Sequence, residues 1–140
     1  MTVIKLGSID NNGSIETYND KGNLIIGLTS SVDGEGAINT YNANEKQIIR
    51  LGSTTDGEGT LTTYDSDGKQ IVQVSSTVNG EGSVTTYNNK GHEIVKLTST
   101  TNGDGYISTS NLDGIEMVQL SSTSKGKGVI STFLIKDKEK

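Results

Sequence analysis

The chain has 140 residues, of which only 30% are hydrophobic and 4% aromatic, with no Cys, no Pro and a formal net charge of −5. So little apolar material argues against a compact globular core, and the acidic balance excludes a basic patch for nucleic acid or an anionic membrane surface. The missing thiols exclude a disulfide framework and thiolate metal sites. The missing Pro, a residue that removes a ladder donor, fits nearly continuous strand pairing.

The first residues, Met1-Thr-Val-Ile-Lys-Leu6, lack a basic run followed by an apolar stretch of about 7 to 15 residues, so any export is expected to use a route other than a cleaved signal peptide. No segment approaches membrane-spanning length, and membrane insertion is not expected. From here one unit of about 23 residues is written six times. Such a period belongs to repeat architectures, whose units bury their apolar faces only against neighbours. The first copy is a residue shorter in its Asp10-Asn-Asn-Gly13 loop, and the clearest copies are Ile49–Ile71 and Val72–Ile94. Residues 1–135 are read as one repeat domain, and Lys136-Asp-Lys-Glu-Lys140 as a charged tail that blocks edge pairing or frays.

Within each copy apolar and polar residues alternate, as in Ile49-Arg50-Leu51 and Val72-Gln73-Val74, which is the period of a half-buried strand. Two turn signals separate the strands. The first is Asp33-Gly34, Asp56-Gly57, Asn79-Gly80, Asn102-Gly103 and Lys125-Gly126; a three-residue loop such as Val78-Asn79-Gly80 pairs Thr77 with Glu81 and sets Val74 opposite Val84. The second is Asn19–Gly22, Asp65–Gly68, Asn88–Gly91 and Asn111–Gly114, read as a four-residue loop that pairs Tyr64 with Lys69 and sets Leu61 opposite Val72. Gly34, Gly57, Gly68, Gly80, Gly91, Gly103 and Gly114 are thus the turn glycines. Where Glu45 replaces Gly, the neighbouring Asn44 is expected to take the left-handed conformation.

Both registers place one set of aliphatics on one face: Ile26, Leu28 and Ile38, then Ile49, Leu51 and Leu61, then Val72, Val74 and Val84, then Val95, Leu97 and Ile107, then Val118, Leu120 and Ile130. A Thr column, from Thr17 and Thr40 to Thr109 and Thr132, lies beside them. The other face, mainly Thr, Ser, Gln, Lys and Arg with Ile48, Ile71, Ile94, Met117 and the Tyr positions, is expected to be solvated. The expected fold is therefore all-β, an antiparallel hairpin meander of about twelve strands with one uncovered apolar side. At roughly 1.5 to 3 kcal/mol per buried aliphatic, that side must meet a copy of itself. Three sheets arranged as a prism, a homotrimer, would do so. A single-chain β-solenoid is the alternative, followed by a closed monomeric barrel.

The acidic turns invite a calcium reading, but the closing Glu position of an EF-hand loop falls on Val74, and the double Gly of a nonapeptide calcium roll is missing. His92, the one His, sits in a turn where sister units carry Asn23, Lys46, Lys69 and Ile115, and reads as a free surface position. With no activated nucleophile and every carboxylate pair copied from unit to unit, the chain is read as a non-enzyme without catalytic, metal or cofactor residues. The Thr-Thr-Tyr rows allow one binding alternative, a Thr/Ser face presented to a surface glycan or to ice. The uneven column Glu16, Asn39, Thr62, Thr85, Ser108 and Ser131 is poor for a lattice match.

The unit Tyr64-Asp-x-x-Gly68-x-x-Ile71 resembles the YD-type repeats of large secreted bacterial shells, although Tyr18, Tyr41 and Tyr87 are followed by Asn, and Ser110 and Phe133 replace Tyr. Across all six units the chain is similar to the repetitive β-structured shafts of phage tail fibres and trimeric bacterial surface fibres. That resemblance implies a rigid spacer or filament segment, self-assembling and extracellular or on a virion surface.

Overall fold

The computed structural model describes residues 3–9, 12–30, 35–54, 56–77, 80–123 and 125–133, so the turn at Gly34 and the tail 136–140 lie outside the described residues. The fold is all-β, and no helix occurs among the described residues. The strands are β1 (Ile4–Ile9), β2 (Asn12–Tyr18), β3 (Leu24–Ser30), β4 (Gly36–Tyr41), β5 (Gln47–Ser53), β6 (Gly59–Tyr64), β7 (Gln70–Ser76), β8 (Gly82–Tyr87), β9 (Glu93–Ser99), β10 (Gly105–Ser110), β11 (Glu116–Ser122) and β12 (Gly128–Thr132). The chain forms two compact units, Met1–Ser75 and Ser76–Lys140.

Within the first unit β1 to β7 pair antiparallel in chain order, and within the second β8 to β12 do the same, with no crossover. Successive hairpins of this kind exclude the solenoid, in which each unit would make one turn and stack on the next. Among the described residues β1 pairs with β2 alone and β12 with β11 alone, so neither unit closes into a barrel.

The two turn types turn out to be one. Thr54 N–H donates to the Glu58 carbonyl (2.7 Å) and Gly57 N–H to the Thr54 carbonyl (3.0 Å); Asp65 N–H donates to the Lys69 carbonyl (2.8 Å) and Gly68 N–H to the Asp65 carbonyl (3.1 Å). Each is a three-residue loop ending in a left-handed Gly, with φ of 83° at Gly57 and 85° at Gly68. Gly80, Gly91, Gly103 and Gly114 share that conformation. The side chain that opens the loop also locks it. Asp65 Oδ1 accepts the N–H groups of Asp67 and Lys69 (both 2.9 Å), and Thr54 Oγ1 accepts that of Glu58 (3.2 Å), an Asx turn and its hydroxyl counterpart. The acidic turn side chain is thus occupied by the backbone.

A four-residue loop at Asp65–Gly68 is therefore incorrect, and the register differs accordingly: Tyr64 faces Gln70, Thr63 faces Val72 and Leu61 faces Val74. The cause is parity. Gly57 to Gly68 spans 11 residues and Gly68 to Gly80 spans 12, so identical turns at both ends would set Leu61 opposite Gln73 and turn Val74 to the other face. A bulge at Ile71, where two residues oppose one, absorbs the odd residue and restores the alternation. The same irregularity falls at Ile25, Ile48, Ile94 and Met117. Ile48, Ile71, Ile94 and Met117, expected on the opposite face, are the bulge residues. At the missing turn glycine, Glu45 itself takes φ of 60°, and Asn44 does not shift into that region.

Candidate functional site

Pairing assembles the aliphatic face row by row. In the first unit Leu6, Ile15, Leu28, Ile38, Leu51, Leu61 and Val74 stand directly opposite one another from β1 to β7. In the second unit Val84, Leu97, Ile107, Leu120 and Ile130 do so from β8 to β12. A second row alternates aliphatic with Thr: Ile4, Thr17, Ile26, Thr40, Ile49, Thr63 and Val72, then Thr86, Val95, Thr109, Val118 and Thr132. All fifteen aliphatics read from the sequence thus fall, within their own unit, into these two rows. Ile4, Leu6 and Ile15 belong there too. Their signal was present, since Ile15-Glu-Thr-Tyr18 repeats Leu61-Thr-Thr-Tyr64, but the shortened first loop displaces it.

A third row on this face is small. Ser30 faces Gly36, Ser53 faces Gly59, Ser99 faces Gly105 and Ser122 faces Gly128. Between the small row and the aliphatic row runs a groove of about 820 Å³ in the first unit and another of about 420 Å³ in the second. Among the described residues no hydrophobic side chain is buried. Eleven of the fifteen aliphatics remain exposed, from 37% at Ile26 to 73% at Ile130.

Burial lies instead on the opposite face, contrary to the expectation of a solvated surface. Thr62 and Thr85 are only 6% and 5% exposed, and Ser14, Glu16, Thr60 and Ser108 are buried with them. Thr60 stands between Gly52 and Ser75 and Ser14 faces Gly7, whereas Thr62 sits between Arg50 and Gln73, as Ser108 does between Lys96 and Gln119. The methylene stems of those long neighbours cover Thr62 and Ser108 while their polar ends reach water. Glu16 is held by the Tyr18 hydroxyl (2.8 Å) and the Lys5 ammonium (3.1 Å), which together draw its carboxyl below the ordinary carboxylate range. Tyr106 donates to Glu116, and burial followed by that bond raises its phenol above the ordinary value.

The two ends of the strands carry links from one hairpin to the next. At the Thr-Gly end Glu35 accepts the Ser53 hydroxyl (2.5 Å), and Glu81 accepts that of Ser99, each 18 residues further on. At Asp104, one methylene shorter, the corresponding Ser122 hydroxyl is buried without a partner. At the Asx end Asn88 Nδ2 donates to the Leu112 carbonyl (2.8 Å), and Lys90 pairs with Asp113 (2.9 Å), whose carboxyl that bond lowers. His92 is not a free surface position: its Nδ1 lies 3.1 Å from the same Leu112 carbonyl, and its ring packs close to Gly114. The Glu–Ser links and the His92 contact had no legible signal, because alternation within one unit says nothing about which turns become neighbours.

The chain matches no family model and none of the curated proteins compared with it. Its face of aliphatic, Thr and Gly rows is suited chemically to apolar contact.

Proposed function

We propose that this chain is a structural protein, a β-repeat segment of fibre or filament type that serves as a rigid spacer or scaffold, assembles with copies of itself and carries no catalytic site. The observation behind this reading is inverted burial: each unit leaves continuous aliphatic rows open and buries, among the described residues, only polar side chains. Exposed aliphatic surface of that extent marks an association site. Three copies about one axis, a homotrimer, cover all three faces at once. The resemblance to fibre shafts adds an extracellular or virion-surface setting.

The reading is supported further by the way Asp65, Glu35 and His92, polar side chains of three different turns, are engaged. Asp65 locks its turn, Glu35 ties one hairpin to the next and His92 packs on the following turn. Each role serves the repeat. A glycan- or ice-binding Thr/Ser face fits less well, because the hydroxyl column at Thr62 and Thr85 is covered by neighbouring stems. Multi-angle light scattering with X-ray scattering at micromolar concentration tests the proposal. An elongated particle of about three chain masses is expected. A folded monomer overturns it, and a thermal shift in a glycan panel or thermal hysteresis would move the function to the polar face.

A further inference from the structure

The aliphatic face carries more than an exposed row. Toward the Thr-Gly turns the strands are reduced to Ser and Gly, leaving the groove of about 820 Å³ with Ile15, Ile38 and Leu51 on one side and Gly36 and Gly59 on the other. The groove of about 420 Å³ in the second unit repeats it beside Ile107, Leu120 and Gly105. Gly36, Gly59 and Gly105 are not in the left-handed region, and a Cβ built on any of them meets nothing within 4 Å among the described residues. Glycine inside a strand weakens it through extra freedom in the unfolded chain, and commonly marks close approach by another backbone or a ligand. Among the described residues the chain makes no such approach there.

We propose that the groove receives the aliphatic row of a second copy of this chain, so that the contact between copies is ridge into groove. This rests on the self-association proposed above and specifies its geometry. The repeat identifies the occupant: the Ser–Gly pairs that form the groove recur every two strands, roughly 9 to 10 Å, and the chain's own Leu, Ile and Val row beside them carries the same repeat on the same face. The extent also fits: in the first unit alone ten of the eleven aliphatics of the two rows are exposed, and with the Ser, Gly and Thr rows beside them they form a contiguous patch that approaches the about 800 Å² per partner of a stable interface. Because ridge and groove lie side by side on each copy, the contact is heterologous and closes when three sheets turn about one axis.

The test combines Gly36→Val, Gly59→Val and Gly105→Val in the full chain. Packing within one chain predicts a higher unfolding midpoint, since Val favours strands and its Cβ has room at all three sites among the described residues. Ridge into groove predicts the opposite sign, with the mass falling to that of a monomer at micromolar concentration and the midpoint dropping. A second measurement does not depend on that variant folding: Gly59→Cys and Leu61→Cys are made in separate chains, one carrying a mass tag, and refolded together. Mild oxidation is expected to give the mixed dimer in excess over either homodimer. A triple variant with wild-type mass and a raised midpoint, or a mixed dimer no more abundant than the homodimers, overturns the ridge-into-groove contact while self-association stands. A monomeric wild type overturns both.

Discussion

Placing a carboxylate at two points of the aliphatic row, Leu51→Asp with Val74→Asp, separates a chain that is stable alone from one stabilised by assembly. In the isolated chain Leu51 is 48% exposed and Val74 40%. Each therefore has only about half of a side-chain burial to lose, roughly 0.7 to 1.5 kcal/mol, and its carboxylate can reach water. In the proposed assembly the same positions would face a dry axis, where an unpaired charge costs several kcal/mol and every copy would add two more of like sign. Across fifteen aliphatics about two-fifths exposed, closure is worth on the order of 10 to 20 kcal/mol per chain before ordering and association costs. Urea denaturation followed by circular dichroism at several concentrations, with light scattering on the same samples, reads both quantities. The expected outcome is loss of the oligomer together with loss of the folded signal, and a midpoint that rises with concentration in the wild type. A double variant that keeps the wild-type mass, or loses less than about 3 kcal/mol with no concentration dependence, would refute the reasoning.

Gly80→Val is expected to destabilise by more than about 1 kcal/mol in thermal unfolding, because φ of 80° is poorly accessible to a β-branched residue. Glu45→Gly should act in the opposite direction, raising stability by about 1 kcal/mol by relieving a non-Gly residue at φ of 60°. Asp104→Glu supplies the carboxylate that Glu35 and Glu81 already direct at Ser53 and Ser99, and should add about 1 kcal/mol by giving the buried Ser122 hydroxyl a partner; an unchanged midpoint would count against the clasp. Glu16 is depressed first by the Tyr18 hydroxyl and then by Lys5, so its contribution is present above the unfolded value near 4.5 and is lost as pH falls through the lower folded value. Glu16→Gln should therefore flatten the fall in midpoint between about pH 5 and pH 2, and an acid limb as steep as that of the wild type would remove Glu16 from the account.

Alternation and turn chemistry sufficed for the meander because both are local. Leu51 and Leu61 share a face whatever the neighbouring hairpins do, and Gly57 is needed as soon as the loop has three residues. The bulge at Ile71 escaped a reading of one turn at a time, since it is visible only when the 11- and 12-residue halves are counted against each other. Burial inverted for a similar reason. Thr62 reads as a solvated strand residue, and only its position between Arg50 and Gln73 covers it. The clasp from Glu35 to Ser53 was hidden behind a sufficient local explanation, because Asp-Gly-Glu-Gly already reads as a turn.

Inverted burial also bears on how such a chain comes to be stable. Its contacts are hairpins closed by three-residue loops, so loop-closure entropy is small and pairing can proceed quickly. Speed is not stability, however, and a sheet that buries only hydroxyls and side-chain stems on one face gains little from leaving water. Under the self-association proposed above, the large favourable term, aliphatic burial, is withheld until a second surface arrives, and folding and association would become one equilibrium. The bulges are indispensable to that arrangement. Were the extra residue at Ile25, Ile48, Ile71, Ile94 and Met117 paired rather than bulged out, every second hairpin would turn its aliphatics to the polar face. No continuous row would then exist for a partner to cover. Because the repeat has an odd length, the bulge is thus the condition for a one-sided sheet.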